Sequence, residues 1–180
     1  TWHSTRWSWY LMSRSNDRRI VIDVAAQKLL LYQAGEMLHA WPISTAAKGV
    51  GQRNGSECTP LGAHHVRLKI GDGCAPNTVF VARRPSGEVF SASLAEADPD
   101  RDWILTRIIW LSGAEPGFNR GGDCDTLRRF IYIHGCPDHA SMGRPRSHGC
   151  IRMRNDDVIE LFNQIDNGCP VQILDSQEDH

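Results

Sequence analysis

Apolar residues in this chain gather into short runs, which is the spacing of strands more than of helices. Ile20 to Val24 is a β-branched run and Lys28 to Tyr32 is a second. Ala34-Gly35-Glu36 supplies a tight turn into a third run, Met37 to Ser44, so the chain opens as an antiparallel meander. Thr45 to Thr59 is rich in Gly, Lys, Asn and Ser and reads as a loop. Thr59-Pro60-Leu61-Gly62 then leads into a strand from Ala63 to Ile70, with proline at the edge where its missing N–H costs least. Val79 to Ala82 is a further strand, followed by a turn at Pro85-Ser86-Gly87-Glu88.

Ser91 to Arg101 is polar and fits either a loop or a helical turn. Trp103 to Leu111 fits both periods, but its β-branched isoleucines favour a strand. Ser112 to Asp125 is a glycine-rich loop, and Phe130 to Ile133 predicts a buried strand with His134 at its end. The one strong helical pattern comes late. Asn155 reads as an N-cap, Asp156 and Asp157 favour a first turn, and Val158, Leu161, Phe162 and Ile165 recur on one face before Gly168. Val171 to Leu174 is a final strand. The pattern predicts a mainly β domain over residues 20–175, with a flexible extension at 1–19 and a tail at 176–180.

Composition narrows the function classes. At 180 residues the chain is long enough for one domain with a substantial core. A net charge of −1 argues against general nucleic-acid binding, which favours a strongly basic surface. No run approaches the roughly 18 apolar residues of a membrane span, so no integral membrane segment is expected. Thr1 to Arg19 carries Trp2, Trp7 and Trp9 among arginines but no continuous apolar middle, so no export signal is read. With six cysteines and no such signal, free thiols in a cytoplasmic compartment are expected. A periplasmic location is the alternative if an export sequence has been removed.

Candidate chemistry is concentrated between Tyr132 and Met153. Two His-Gly-Cys triplets lie there, His134-Gly135-Cys136 and His148-Gly149-Cys150, separated by a loop rich in Pro, Gly and Arg. Three readings stand side by side. In the first, Cys150 is a nucleophile activated by a strand-end histidine, with backbone amides around Gly149 and Cys150 stabilising an oxyanion. In the second, His134, Cys136, His148 and Cys150 bind zinc, although an H-x-C spacing is unlike the usual zinc patterns. In the third, the thiols are buried and structural.

The string Ser147-His148-Gly149-Cys150-Ile151-Arg152-Met153 with the upstream Ile133-His134-Gly135 resembles the signature of the L,D-transpeptidase (YkuD-type) catalytic domain family. Thr59-Pro60-Leu61-Gly62 resembles that family's T-P-x-G segment, and the opening meander is similar as well, so the resemblance covers Ile20 to Leu174. It implies a YkuD-like β-sandwich with a catalytic loop and one helix in the C-terminal half. By resemblance Cys150 is the nucleophile and His134 the general base, oriented by the carbonyl of Gly135. His148 and Gly149 would line the site, with the amides near Cys150 as oxyanion hole and Ser147 positioning the loop. Arg152 would face the substrate and meet a carboxylate.

The implied substrate is a peptidoglycan stem peptide, a muropeptide cleaved between meso-diaminopimelate and D-alanine. No cofactor is implied, and a carbapenem would be a covalent inhibitor. A cytoplasmic member would meet recycled muropeptides, which favours an L,D-carboxypeptidase using water as acceptor. An L,D-transpeptidase forming cross-links outside the membrane is the alternative, and a zinc-dependent hydrolase the remote one.

Overall fold

The computed structural model describes residues 17–176. The tryptophans of the N-terminal extension and the last four residues lie outside that range. Ten strands form one mixed hydrogen-bonded system: β1 (Arg18–Asp23), β2 (Lys28–Gln33), β3 (Glu36–Pro42), β4 (Gly62–Ile70), β5 (Thr78–Val81), β6 (Arg84–Val89), β7 (Leu105–Gly113), β8 (Tyr132–Gly135), β9 (Ile151–Met153) and β10 (Pro170–Leu174). The order is β3-β2-β1-β10-β4-β7-β5-β6, and β8 branches from β7 to carry β9. The β1–β10 and β8–β9 pairs are parallel and the others antiparallel. The mainly β reading therefore holds.

Two helices occur among the described residues, α1 (Ala92–Ala97) and α2 (Asn155–Gln164). Ser91 caps α1, its hydroxyl accepting from the Leu94 N–H at 3.3 Å, so the polar stretch left open between loop and helical turn is helical. Helix α2 buries Val158, Leu161 and Phe162, and Ile165 just beyond it, as its periodicity requires. It packs on β7 and β8 and closes a core with Ile20, Ile22, Leu29, Leu31, Ile109, Leu111, Ile133, Ile151, Met153, Val171 and Ile173. A second cluster of Phe80, Ile108 and Tyr132 covers another face of the same central strands. With both faces covered, β7 and β8 read as near-continuous apolar runs.

Four local differences from the sequence pattern have physical causes. The hairpin after β5 turns at Ala82-Arg83 instead of Pro85-Gly87. Both residues take positive φ, 47° and 65°, giving a two-residue loop whose twist matches its strands. Phe130 lies outside β8 at φ 57°, so that strand starts at Tyr132 and includes His134. Asn155 is not the cap of α2. Arg154 holds that position, while the Asn155 side chain accepts from Thr106 Oγ1 at 2.6 Å and donates to Asn77 and Asp138. Last, β1 begins at Arg18, inside the stretch read as an extension, because Arg18 and Arg19 continue the ladder opposite Gln33 and Tyr32 of β2.

Thr106 explains the third difference. It sits at φ 74° where the registers of β7 and β8 slip between Leu105 and Ile108. A β-branched residue in this region is a steric outlier costing about 1–3 kcal/mol. Its hydroxyl is held between the Asn77 N–H and the Asn155 carboxamide. The bulge and the buried asparagine support one another directly beside Gly135.

Candidate active site

Strand β8 delivers the histidine. His134 is fully buried, and its Nδ1–H donates to the carbonyl of Gly135 at 2.6 Å. That bond fixes the tautomer and leaves Nε2 as the accepting nitrogen. Nε2 is buried and has no hydrogen-bond partner. Burial holds the imidazole below its ordinary pKa, so it is neutral at neutral pH. Gly135 is required by close approach. A Cβ there would collide with the Asn155 carboxamide and lie 2.7 Å from the Leu105 carbonyl.

Strand β9 and the loop before it deliver the thiol. In the parallel β8–β9 pair Ile133 lies opposite Ile151 and His134 opposite Arg152. Side chains alternate along a strand, so Ile133, Ile151 and Met153 enter the main core. Tyr132, His134, Cys150 and Arg152 face the other way, and Cys150 joins the second cluster beside Tyr132. Cys150 and His134 are thus diagonal neighbours on one face. The sulfur accepts the Tyr132 N–H at 3.4 Å, and the thiol donates to the Phe130 carbonyl at 3.4 Å. No hydrogen bond joins Sγ to Nε2 in this resting arrangement. The residue keeps some exposure, yet burial of the sulfur pushes its pKa up to about 12.

The loop around Cys150 is pinned from both sides. Ser147 is buried; its hydroxyl donates to the Cys150 carbonyl at 2.5 Å and accepts the Gly149 N–H at 3.2 Å. That contact occupies one of the two amides that the sequence offered to an oxyanion. Gly149 sits at φ 130°, a conformation that side chains resist. Its carbonyl accepts from Thr59 Oγ1 at 3.0 Å, and Thr59 Oγ1 in turn accepts the Ala46 N–H.

His148, expected to line the site, is instead exposed, with Nδ1 3.9 Å from Glu57. Arg152 meets a carboxylate, but one from its own chain: it binds Asp102 Oδ1 at 2.8 Å. A cavity of about 330 Å³ opens beside this pair, lined also by Trp103, Pro137 and His139. Another of the same volume lies beside Arg18 and Cys169, lined by neither Cys150 nor His134.

The zinc reading loses its ligand set. Cys136 is buried and donates to the Met153 carbonyl at 3.3 Å, while His148 turns toward Glu57. Among the described residues no group of three or more His, Cys, Asp or Glu could hold a metal ion.

Several residues around the site were missed. Arg129 donates to the carbonyls of Gly51, Gln52 and Cys58, tying the loop before Thr59 to the Cys150 region. Arg83 reaches the Tyr132 hydroxyl at 3.2 Å. Arg83 lies far upstream of the triplets and Arg129 just ahead of the first, and no local motif marks either. Thr106 carried a weak signal, a polar side chain inside an apolar stretch, and Asn155 carried only the signal of a cap.

Comparison with known proteins bears on the family and the fold. The YkuD family, described as the L,D-transpeptidase catalytic domain, matches residues 17–173. The chain is similar to the Escherichia coli "Probable L,D-transpeptidase YbiS", 29% identical over 160 residues, which is 87% of this chain and 44% of that protein. The chain spans less than half the length of the curated relatives it matches. Among solved structures, an L,D-transpeptidase from Mycobacterium smegmatis superposes with a TM-score of 0.55 at 20% identity, covering 88% of this chain and 58% of that one. L,D-transpeptidase 3 from Mycobacterium tuberculosis, in complex with a faropenem-derived adduct, gives 0.55 at 17% identity, covering 88% and 60%. These structural likenesses concern the fold.

Proposed function

The chain belongs to the L,D-transpeptidase catalytic domain family, and we propose that it is a cysteine acyl-enzyme acting on peptidoglycan stem peptides. The observation that carries the proposal is the buried His134 imidazole. Its Nδ1–H is committed to Gly135 and its Nε2 lacks a partner, on the face that carries the Cys150 thiol.

A thiol with a pKa near 12 rests protonated, so it is not a preformed ion pair. Ionising it alone costs roughly 4 kcal/mol more than ionising a free thiol. The base must therefore act as attack occurs. In the proposed reaction Cys150 leaves the Phe130 carbonyl and passes its proton to His134 Nε2. The sulfur adds to the carbonyl at the L-centre of meso-diaminopimelate. The oxyanion is taken by backbone amide at Cys150, since Ser147 holds that of Gly149. The C–N bond breaks, the imidazolium returns its proton to the amine of D-alanine, and a thioester remains. Water, deprotonated by the same nitrogen, then cleaves the thioester and restores the thiol.

Water as acceptor makes the enzyme an L,D-carboxypeptidase that trims tetrapeptide to tripeptide. All six cysteines are free, which suits a reducing cytoplasm and recycled muropeptides. Mass spectrometry of products from a disaccharide-tetrapeptide, with and without an amine acceptor, tests this. Tripeptide and free D-alanine alone are expected, and a new amide in the presence of the amine would instead mark a transpeptidase. Loss of D-alanine release by at least about 10³-fold in Cys150→Ala is required. A carbapenem should add its mass to the wild type and not to that variant.

A further inference from the structure

Two residues whose backbone touches the Cys150 sulfur, Phe130 and Tyr132, hold with their side chains a cation that has no anion to pair with. Arg83 is at the tip of the β5–β6 hairpin, in a left-handed turn at φ 65°. Its guanidinium carbon lies 5.0 Å from the centroid of the Trp110 ring and 4.7 Å from that of Phe130. One nitrogen donates to the Tyr132 hydroxyl at 3.2 Å. Trp110 is fixed in turn, edge-on to Tyr132 and donating its indole N–H to the Leu127 carbonyl at 3.1 Å. The guanidinium is therefore oriented by ring contacts and a single hydrogen bond, with most of its five donors uncommitted.

The residues that hold Arg83 are the residues that hold the thiol. Phe130 supplies the carbonyl, and Tyr132 the amide, that contact Cys150 Sγ. The neighbouring arginines are already engaged. Arg152 is paired with Asp102, and Arg129 is spread over backbone carbonyls. Among the described residues no carboxylate forms an ion pair with Arg83. A guanidinium stacked on aromatic rings with free edges is suited to bidentate recognition of a carboxylate.

Resting on the proposed acyl-enzyme reading, we infer that Arg83 binds the terminal carboxylate of the residue expelled from the acyl donor. That group lies one residue beyond the attacked carbonyl, which makes it the nearest free carboxylate to the sulfur. Charge recognition at this point restricts the enzyme to peptides that end where the scissile bond's leaving residue ends. Longer peptides and amidated termini are poor substrates, because they leave the guanidinium facing a neutral group.

The test sets wild type and Arg83→Gln against three peptides, with Arg83→Lys as the conservative control. Wild type and Arg83→Gln are assayed on the tetrapeptide acid, on its C-terminal amide, and on an acid in which lysine replaces diaminopimelate and so lacks the D-centre carboxylate. Amidation should lower kcat/KM of the wild type about 10- to 100-fold and that of Arg83→Gln by less than about threefold. Arg83→Lys should recover part of the discrimination. Equal sensitivity of both proteins to amidation overturns the inference. So does an Arg83→Gln loss that disappears on the lysine peptide, since the partner would then be the D-centre carboxylate. Should the variants misfold, the amidation arm on the wild type can still overturn the inference: indifference to the terminal charge does so and leaves the acyl-enzyme reading standing. A wild type that releases D-alanine from none of the peptides overturns both.

Discussion

Thr59 and Gly149 are ninety positions apart and joined by one buried hydrogen bond, Oγ1–H of Thr59 to the Gly149 carbonyl at 3.0 Å. The threonine that opens the Thr-Pro-Leu-Gly segment thereby sets the backbone on which Cys150 rides. The same oxygen receives the Ala46 N–H, so its lone pair and its proton are both spoken for. Thr59→Val keeps the shape and removes both bonds, leaving a buried donor and a buried acceptor unmet. Stability should fall by about 1–3 kcal/mol in urea denaturation. Because the nucleophile's backbone loses its anchor, kcat should fall more than KM rises, and Thr59→Ser should restore most of both.

The His134 imidazole governs the acid side of the pH profile. Burial lowers its pKa, so protonation, which removes the base, sets in only below the 6.5 of an ordinary histidine. kcat/KM should be flat through neutrality and decline on a limb centred below pH 6.5. The thiol contributes no rise at pH 8–9, because its own ionisation is displaced to about 12. Alkylation of Cys150 by iodoacetamide should likewise show no inflection near pH 9. His134→Ala should lose about 10²- to 10⁴-fold in kcat and lose the acid limb with it.

A second histidine makes the fold itself sensitive to acid. His64 is 3% exposed; its Nδ1–H donates to the Gly62 carbonyl, and Nε2 accepts from the Thr126 hydroxyl, both at 3.0 Å. Those bonds suit the neutral ring, and burial holds its pKa down to about 4. The unfolded chain binds a proton near 6.5 and the folded chain does not until about 4, so stability is complete above the first value and falls between the two. The loss amounts to about 3 kcal/mol. Denaturation midpoints measured from pH 7 to pH 4 should show it, and His64→Gln should flatten the curve.

Gly135 tests the wall behind the base. Gly135→Ala would press a methyl group into the Asn155 carboxamide and the Leu105 carbonyl, neither of which can move without disturbing Thr106. A cost above about 2 kcal/mol is expected, read as a drop in melting temperature. Asn155→Ala leaves Thr106 without its acceptor and should cost about 1–3 kcal/mol. It should also lower kcat, since the bulge beside His134 relaxes.

Much of this was legible in the residues. Strands announced themselves through β-branched runs, and α2 through Val158, Leu161 and Phe162. The thiol and its histidine stood in a string of side chains whose chemistry is hard to arrange by accident. What escaped notice depends on backbone conformations that composition does not encode. Ala82 and Arg83 adopt a left-handed turn without glycine, whereas Pro85 and Gly87, the louder signal, lie inside β6. Asn155 looked like a cap because caps and buried carboxamides use the same residue; only the bulge at Thr106 decides which role it takes. Arg152 and Asp102 show a further limit. A local string can predict that an arginine will find a carboxylate, but not that the chain itself provides it.

Strand β10, the last one described, is wedged between β1 and β4, parallel to the first and antiparallel to the second. Of the described strands it is the last to leave the ribosome. Until then the β1–β3 meander and the β4–β7 ladder lack the strand that joins them in the sheet, and the facing edges of β1 and β4 stay open. Cys150 and His134 belong to the half that includes β7, so their scaffold is laid down before the seam is closed. Until β10 emerges, the nascent chain presents strand edges open to exchange.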